Sequence, residues 1–244
     1  MSDEILLSVV MPAYKEADNL RELLPPLRET VTRLVGDASA GEILVVDTQT
    51  PMDDTPAVCR AAGVRCLPRH PDNLYGSAIR TGVAASGGRF VVVMDADGSH
   101  NPGFLPELWA HREEADVVIA SRYVPGGATQ NPWLQVAMSK VLNSTFKFFA
   151  GMPVRDVSNS FRLYRGERLR SLELKGNHFD ILEEILGQLL WCQPDRPARM
   201  IEVPFCFEKR RHGSSKRSLL VFSWRFLLAL FRMRALRKNI AGRQ

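Results

Sequence analysis

The sequence predicts an α/β fold built on a largely parallel, Rossmann-like central sheet flanked by helices. Three observations predict it. Short aliphatic runs recur along the first half of the chain, each is followed by a segment with helical spacing, and one run, Val91-Val92-Val93-Met94, stops abruptly at Asp95-Ala96-Asp97. A strand buried on both faces is a continuous apolar run, and strands alternating with helices join in parallel.

The elements follow in order. Residues 5–11 form a first strand, and Pro12-Ala13-Tyr14-Lys15-Glu16-Ala17-Asp18-Asn19 a loop into a helix over residues 20–34. Residues 42–47 are a second apolar strand, followed by a turn-rich stretch to Asp54 and a helix to about Ala62. Residues 65–68 make a short third strand. Residues 75–86 are helical, because Ala78, Ile79, Gly82 and Val83 share one face, and residues 89–94 are the fourth strand. A helix over 104–114 and a strand over 116–120 come next. The rhythm then breaks into an apolar helix over 133–149, a strand over 161–164, a helix over 179–191 and a strand over 200–207.

The chain has 244 residues, 45% apolar and 24% charged, which suits an ordinary globular protein with a substantial core. Its net charge of +5 hides an asymmetry: from Glu208 onward there are eleven Lys/Arg against one acid, while the rest is net acidic. A segregated basic end suggests an anionic partner surface, membrane or nucleic acid. Cys59, Cys66, Cys192 and Cys206 show no CxxC pair or zinc spacing, which fits reduced thiols in a cytosolic protein. The acidic start, Met1-Ser2-Asp3-Glu4, resembles neither a secretory signal nor a transit peptide.

In an open parallel sheet, ligands bind beyond the carboxyl ends of the strands. Asp95 and Asp97 stand at such an end, where two carboxylates hold a hard divalent cation together with substrate phosphates; the alternative is a polar turn. No glycine-rich phosphate loop follows the first strand, which argues against a nicotinamide oxidoreductase or a nucleotidyltransferase. A non-catalytic membrane-associated scaffold remains as an alternative of another class.

Taken together, Pro12-Ala13-Tyr14-Lys15-Glu16, Val45-Val46-Asp47, Met94-Asp95-Ala96-Asp97-Gly98-Ser99-His100-Asn101-Pro102, Ser121-Arg122-Tyr123, Gly126-Gly127, Arg155-Asp156, Ser160-Phe161-Arg162-Leu163-Tyr164, Glu183-Glu184 and Gly213-Ser214-Ser215-Lys216 form an ordered set. This set resembles family 2 glycosyltransferases, and within them the dolichol- or polyprenyl-phosphate mannosyltransferases. It covers residues 5–217. The resemblance implies a GT-A fold, a nucleotide-sugar donor with GDP-mannose favoured, Mg²⁺ or Mn²⁺, and a polyprenyl-phosphate acceptor. It also implies peripheral contact with the cytoplasmic face of a membrane, and leaves room for a membrane partner subunit. Asp95 and Asp97 would hold the metal, with Ser99 as a further ligand. Pro12, Ala13, Tyr14, Glu16 and Asp47 would cradle the donor, and Arg210 and Lys216 match positions that hold its phosphates. Asp97, Arg122 and Arg162 match catalytic positions, with Arg155 a secondary candidate. A soluble acceptor or another donor is the alternative within the class.

Two stretches depart from the family pattern. Asp47-Thr48-Gln49-Thr50 replaces the common Asp-Asp-Gly-Ser, and Asn73-Leu74-Tyr75-Gly76 replaces a more glycine-rich Gly-Leu-Gly. Both fall near the expected nucleotide. The catalytic domain is expected over 1–217, and 218–244 is expected to be a basic amphipathic tail. Its apolar run, 219–231, is too short to span a bilayer and fits a helix lying in a membrane interface; a core helix is the alternative. The run is too apolar for a nucleic-acid arm.

Overall fold

The computed structural model of the protein describes residues 4–192, 196–208, 210, 212 and 234. The first apolar runs form β1 (Leu7–Pro12), β2 (Gly41–Asp47), β3 (Arg65–Pro68) and β4 (Phe90–Val93), connected by α1 (Ala17–Val35), α2 (Thr55–Ala61) and α3 (Tyr75–Ala85). The second half supplies α4 (Leu105–Ala110), β5 (Val117–Ser121), β6 (Ala128–Thr129), α5 (Trp133–Thr145), β7 (Arg162–Arg165), α6 (Gly166–Arg170), α7 (Asp180–Trp191), β8 (Met200–Pro204) and β9 (Cys206–Phe207).

Seven strands form one sheet in the order β3-β2-β1-β4-β7-β5-β8, while β6 and β9 pair separately. The pairings of β7 with β4 and β5 are antiparallel, and the other pairings in the sheet are parallel. Strand residues alternate between two cores. Val9, Val45, Val92, Val118 and Leu163 pack under Leu20, Leu24 and Leu27 of α1. Val10, Val46, Val93, Ile119 and Tyr164 pack under Ile79 and Val83 of α3 and Ile181 and Ile185 of α7. Coverage of both faces is why these strands are apolar throughout. Gly82 lets α3 lie close to the sheet, since a Cβ there would stand 2.3 Å from a methyl of Val10.

The parallel register brings several strand ends to one edge. Pro12 pairs with Val46, Val10 with Val93, and Arg162 of β7 lies opposite both Val93 and Ile119. The segments after β1, β2, β4 and β5 therefore leave the sheet side by side.

Some boundaries differ from expectation. The strand expected over 200–207 divides at Phe205: Phe205 N–H makes the last bond to β5, at Ser121 carbonyl (2.9 Å), and Cys206 and Phe207 then pair with β6 instead. The helix expected over 104–114 ends at Ala110, where Arg112 Nη1 caps the carbonyl of Trp109 (2.9 Å). The helix expected over 133–149 is α5 followed by a π-helical turn, Phe146–Ala150. The amphipathic helix over 219–231, the 217/218 boundary and Lys216 lie outside the described residues.

Candidate active site

β1 ends at Pro12, and Ala13 N–H bonds to Val46 carbonyl (2.9 Å), so the chain leaves the sheet beside the end of β2. Lys15 then takes φ +58°, a left-handed conformation that is costly for a residue with a Cβ and recurs at functional loops. Across this turn Tyr14 and Lys15 are exposed while Glu16 is buried. Glu16 Oε2 accepts from Asn19 Nδ2 (2.6 Å), and Glu16 Oε1 accepts from the Arg210 guanidinium. Burial raises the Glu16 carboxyl above its ordinary value, against the pull of the Arg210 charge.

Arg210 Nε also stands 3.7 Å from Asp97 Oδ2, so one guanidinium spans Glu16 and Asp97. Its arm is fastened on both sides: Glu208 N–H donates to Ser99 carbonyl (3.3 Å) and His212 N–H to Asn19 Oδ1 (3.0 Å). Asp97 Oδ1 accepts from both Ser99 N–H (3.0 Å) and Ser99 Oγ (2.5 Å). Burial works to raise the Asp97 carboxyl, but the Ser99 hydrogen bonds and the Arg210 charge outweigh it and hold the group below its ordinary value. Ser99, expected as a metal ligand, orients Asp97 in this structure.

Asp95 Oδ1 accepts from Ser160 Oγ (2.9 Å), and Asp95 N–H donates to His100 Nδ1 (2.9 Å). That bond leaves the proton on Nε2, which donates to Asn159 Oδ1 (3.1 Å). His100 is fully buried and stacked on Phe161 at 4.8 Å; burial lowers its pKa, in keeping with a neutral ring. Asp95 and Asp97 each keep one carboxylate oxygen outside these hydrogen bonds. Such a pair suits Mg²⁺ or Mn²⁺, which takes one or two carboxylates and completes its shell with substrate phosphate and water. Among the described residues no group of three or more His, Cys, Asp or Glu is gathered as a metal cage.

Asp47 stands at the end of β2 on this edge. It is 2% exposed, and its Oδ2 has no hydrogen-bond partner among the described residues. Burial raises its pKa. Beside it, the buried Arg69 donates through Nε to Asp47 carbonyl (3.0 Å), through Nη1 to Asn73 carbonyl (3.2 Å), and through Nη2 to Ala13 carbonyl. One guanidinium thus joins the loops after β1, β2 and β3. Sequence reasoning missed Arg69; its only signal was a cation directly after a strand.

The two expected catalytic arginines are held inside the protein. Arg122 makes a two-pronged pair with Asp156, and also donates to Ser158 Oγ (2.8 Å). Arg162 has no exposed surface and donates to the carbonyls of Leu182 (2.9 Å) and Val157 (2.7 Å). Arg162, expected at a catalytic position, lies among core residues in this structure. The alternation of β7 turns position 162, like Tyr164, into the core under α7. Asp156 was quoted in a motif but assigned no role, and Asn159 fell outside every motif, yet they carry the contact between Arg122 and the aspartate loop: Asn159 N–H donates to Asp156 Oδ1 (3.2 Å).

Beside the site, α5 and its π turn expose Trp133, Leu134, Val141, Phe148 and Phe149, with Lys140 and Lys147 among them. Among the described residues no helix is long and apolar enough to cross a membrane.

The sequence model of "Glycosyl transferase family 2" matches residues 8–172. The chain belongs to this family. The glycosyltransferase is 32% identical over 225 residues to a polyprenol monophosphomannose synthase of Mycolicibacterium smegmatis, covering 86% of this chain and 80% of that relative. It is also 32% identical over 223 residues to an undecaprenyl-phosphate mannosyltransferase of Micrococcus luteus, covering 86% of each. A glucosyl-3-phosphoglycerate synthase of Mycobacterium tuberculosis, solved with Mn²⁺, UDP and glucosyl-3-phosphoglycerate, matches with a TM-score of 0.68 at 20% identity over 94% of this chain and 80% of that one. This likeness places the glycosyltransferase in the GT-A fold.

Proposed function

We propose that this glycosyltransferase moves a sugar, mannose by preference, from a nucleoside diphosphate to a polyprenyl phosphate, with inversion at the anomeric carbon. The observation that carries the reading is the meeting of Glu16, Asp97 and Arg210 at the strand edge that also holds Asp95 and Asp47. The names of the two 32% identical relatives support the acceptor class. Asp95 and Asp97 would hold Mg²⁺ or Mn²⁺, which when bound neutralises the departing diphosphate. Arg210, already at the acid cluster, is placed to share that charge, and Asp47 faces the donor base. A phosphate oxygen of the acceptor forms the new bond to the anomeric carbon as the bond to the diphosphate breaks, its electron pair leaving with the diphosphate. A phosphate monoester is largely a dianion at neutral pH, so no strong general base is needed. Arg122 and Arg162 act by positioning the loops rather than by touching phosphate.

The acceptor lipid approaches from a membrane surface, on the cytoplasmic face in this reading. The exposed apolar face of α5 with Lys140 and Lys147 supports peripheral contact, as does the basic tail. A membrane partner subunit would add to that contact. The departures at 47–50 and 73–76 favour a second reading, a donor other than GDP-mannose. Incubating the purified protein with GDP-mannose, UDP-glucose or CDP-linked sugar, Mg²⁺ and polyprenyl phosphate, followed by mass spectrometry of the lipid, tests both. A mannosyl lipid is expected; transfer only from another donor would establish the second reading, and no lipid product from any donor would overturn the acceptor assignment.

A further inference from the structure

The two stretches that depart from the family pattern lie against each other. Gln49 backbone N–H donates to Asn73 Oδ1 (2.8 Å), and Gln49 Nε2 donates to Pro71 carbonyl (2.7 Å), so one residue is tied twice to the facing loop. Each loop is also tightened from within. Thr48 Oγ1 donates to Thr50 carbonyl (2.7 Å), and Asp72 Oδ1 accepts from Leu74 N–H (2.9 Å) and Ser77 Oγ (2.6 Å), fixing the second loop to the start of α3. Arg69 holds both loops from below through the carbonyls of Asp47 and Asn73. At the root of the first loop, Asp47 keeps a buried oxygen without a hydrogen-bond partner among the described residues.

We propose that Gln49 and Asn73 are positioning residues whose bridge holds Asp47 toward a ring N–H of the donor base, so that the pocket selects bases carrying such a donor. The proposal rests on the reading of Asp47 as the base-facing residue. An ionised carboxylate only accepts hydrogen bonds. It therefore pairs with the imino N–H of guanine or uracil and opposes the bare ring nitrogen of cytosine at the same place. A site built around a buried acceptor discriminates strongly against a ligand that leaves it unpaired. Where a glycine loop would have to be ordered at each binding event, these loops are already ordered by four side-chain hydrogen bonds, counting Gln49, Thr48 and Asn73 contacts with the Asp72 cap on Leu74.

The test is calorimetric titration of the full chain with GDP, UDP and CDP in Mg²⁺, together with donor KM and kcat. Asn73→Asp keeps the acceptor for Gln49 N–H, and Asn73→Leu removes it. Asn73→Leu is expected to weaken the preferred nucleotide about three- to tenfold, the scale of one net hydrogen bond, and to narrow its margin over CDP. The change falls on KM rather than kcat, and Asn73→Asp restores it. Both positions are exposed, and Gln49→Ala, which keeps the backbone N–H bond to Asn73 but removes the Nε2 bond to Pro71, provides a second, independent variant. Wild-type selectivity in Asn73→Leu and Gln49→Ala, or an Asn73→Asp variant as impaired as Asn73→Leu, overturns the bridge while leaving Asp47 as the reader. Equal binding of all three nucleotides by the wild-type protein overturns the Asp47 reading and the bridge with it.

Discussion

Arg122 and Asp156 meet edge to edge in the interior, Nε to Oδ2 at 2.8 Å and Nη2 to Oδ1 at 2.7 Å, and the Arg122 backbone N–H adds a third bond to the same carboxylate at 3.0 Å. Asp156 has no exposed side-chain surface and Arg122 only 9%. The pair pins the end of β5 to the loop preceding β7, and through Asn159 and His100 it is linked to the backbone of Asp95.

Removing one member leaves the other as an uncompensated buried charge. Asp156→Ala should destabilise the protein by about 3–5 kcal/mol. Arg122→Lys keeps the charge but loses the planar fork, and should fall between that variant and wild type. Urea denaturation measures both; a wild-type midpoint for Asp156→Ala would contradict the structural role.

The same pair sets an acid limit. Burial works to raise the Asp156 carboxyl, but the charge and hydrogen bonds of Arg122 outweigh it and hold the group below its ordinary value of 3.8. In the interval between the two values the unfolded chain binds the proton and the native one does not, so stability rises with pH there. The contribution is complete above the unfolded value and disappears as pH falls through the native one. Stability of the wild-type protein should drop on acidification below about pH 4, and less steeply in Asp156→Asn. Parallel slopes would refute this.

Asp97→Ala removes a hard oxygen ligand and should lower sugar transfer about a hundredfold or more, with an unchanged far-ultraviolet spectrum. Mn²⁺ binding followed by electron paramagnetic resonance should weaken in parallel. Turnover that persists in excess chelator would remove the metal from the proposed reaction.

Arg69→Ala strips buried carbonyls of their donor, each at about 1–3 kcal/mol, and should lower both melting temperature and nucleotide affinity. Arg69→Lys should rescue neither fully, because an ammonium cannot span three loops as the guanidinium does. Full rescue by lysine would reduce Arg69 to a charge.

Phe148→Asp with Phe149→Asp should reduce sedimentation with anionic vesicles while leaving nucleotide binding intact, since both side chains are exposed. Truncation after Arg217 should act in the same direction, each basic residue near the surface contributing about 1 kcal/mol. If the substituted protein and the truncated protein both sediment like the full chain, neither segment is the membrane contact.

Residues whose partners are near in sequence, or whose whole neighbourhood is apolar, were legible without coordinates. Val91 to Val93 betray a strand covered on both faces, and Asp95 and Asp97 mark the polar loop that follows it. Arg162 shows why legibility stops. The residue type suggests a phosphate ligand, but its partners are the carbonyls of Val157 and Leu182, and a backbone carbonyl leaves no mark in the sequence. Arg69 was missed for the same reason. The bridge between Gln49 and Asn73 was visible only as two departures from a pattern; that they touch depends on β2 and β3 being neighbours in parallel register.

The antiparallel strand β7 has a consequence for how the molecule is made. As the chain leaves the ribosome, β1 to β4 and their helices are complete long before β7, so β4 must wait with one edge unpaired. A pairing between segments so far apart in sequence closes slowly. Ser160 and Asn159, which steady Asp95 directly and through His100, arrive with that late strand. A nascent chain ending before residue 159 would already carry every acidic residue of the site, yet its aspartate loop would lack the contacts that orient it, so catalytic competence is acquired at a late folding step.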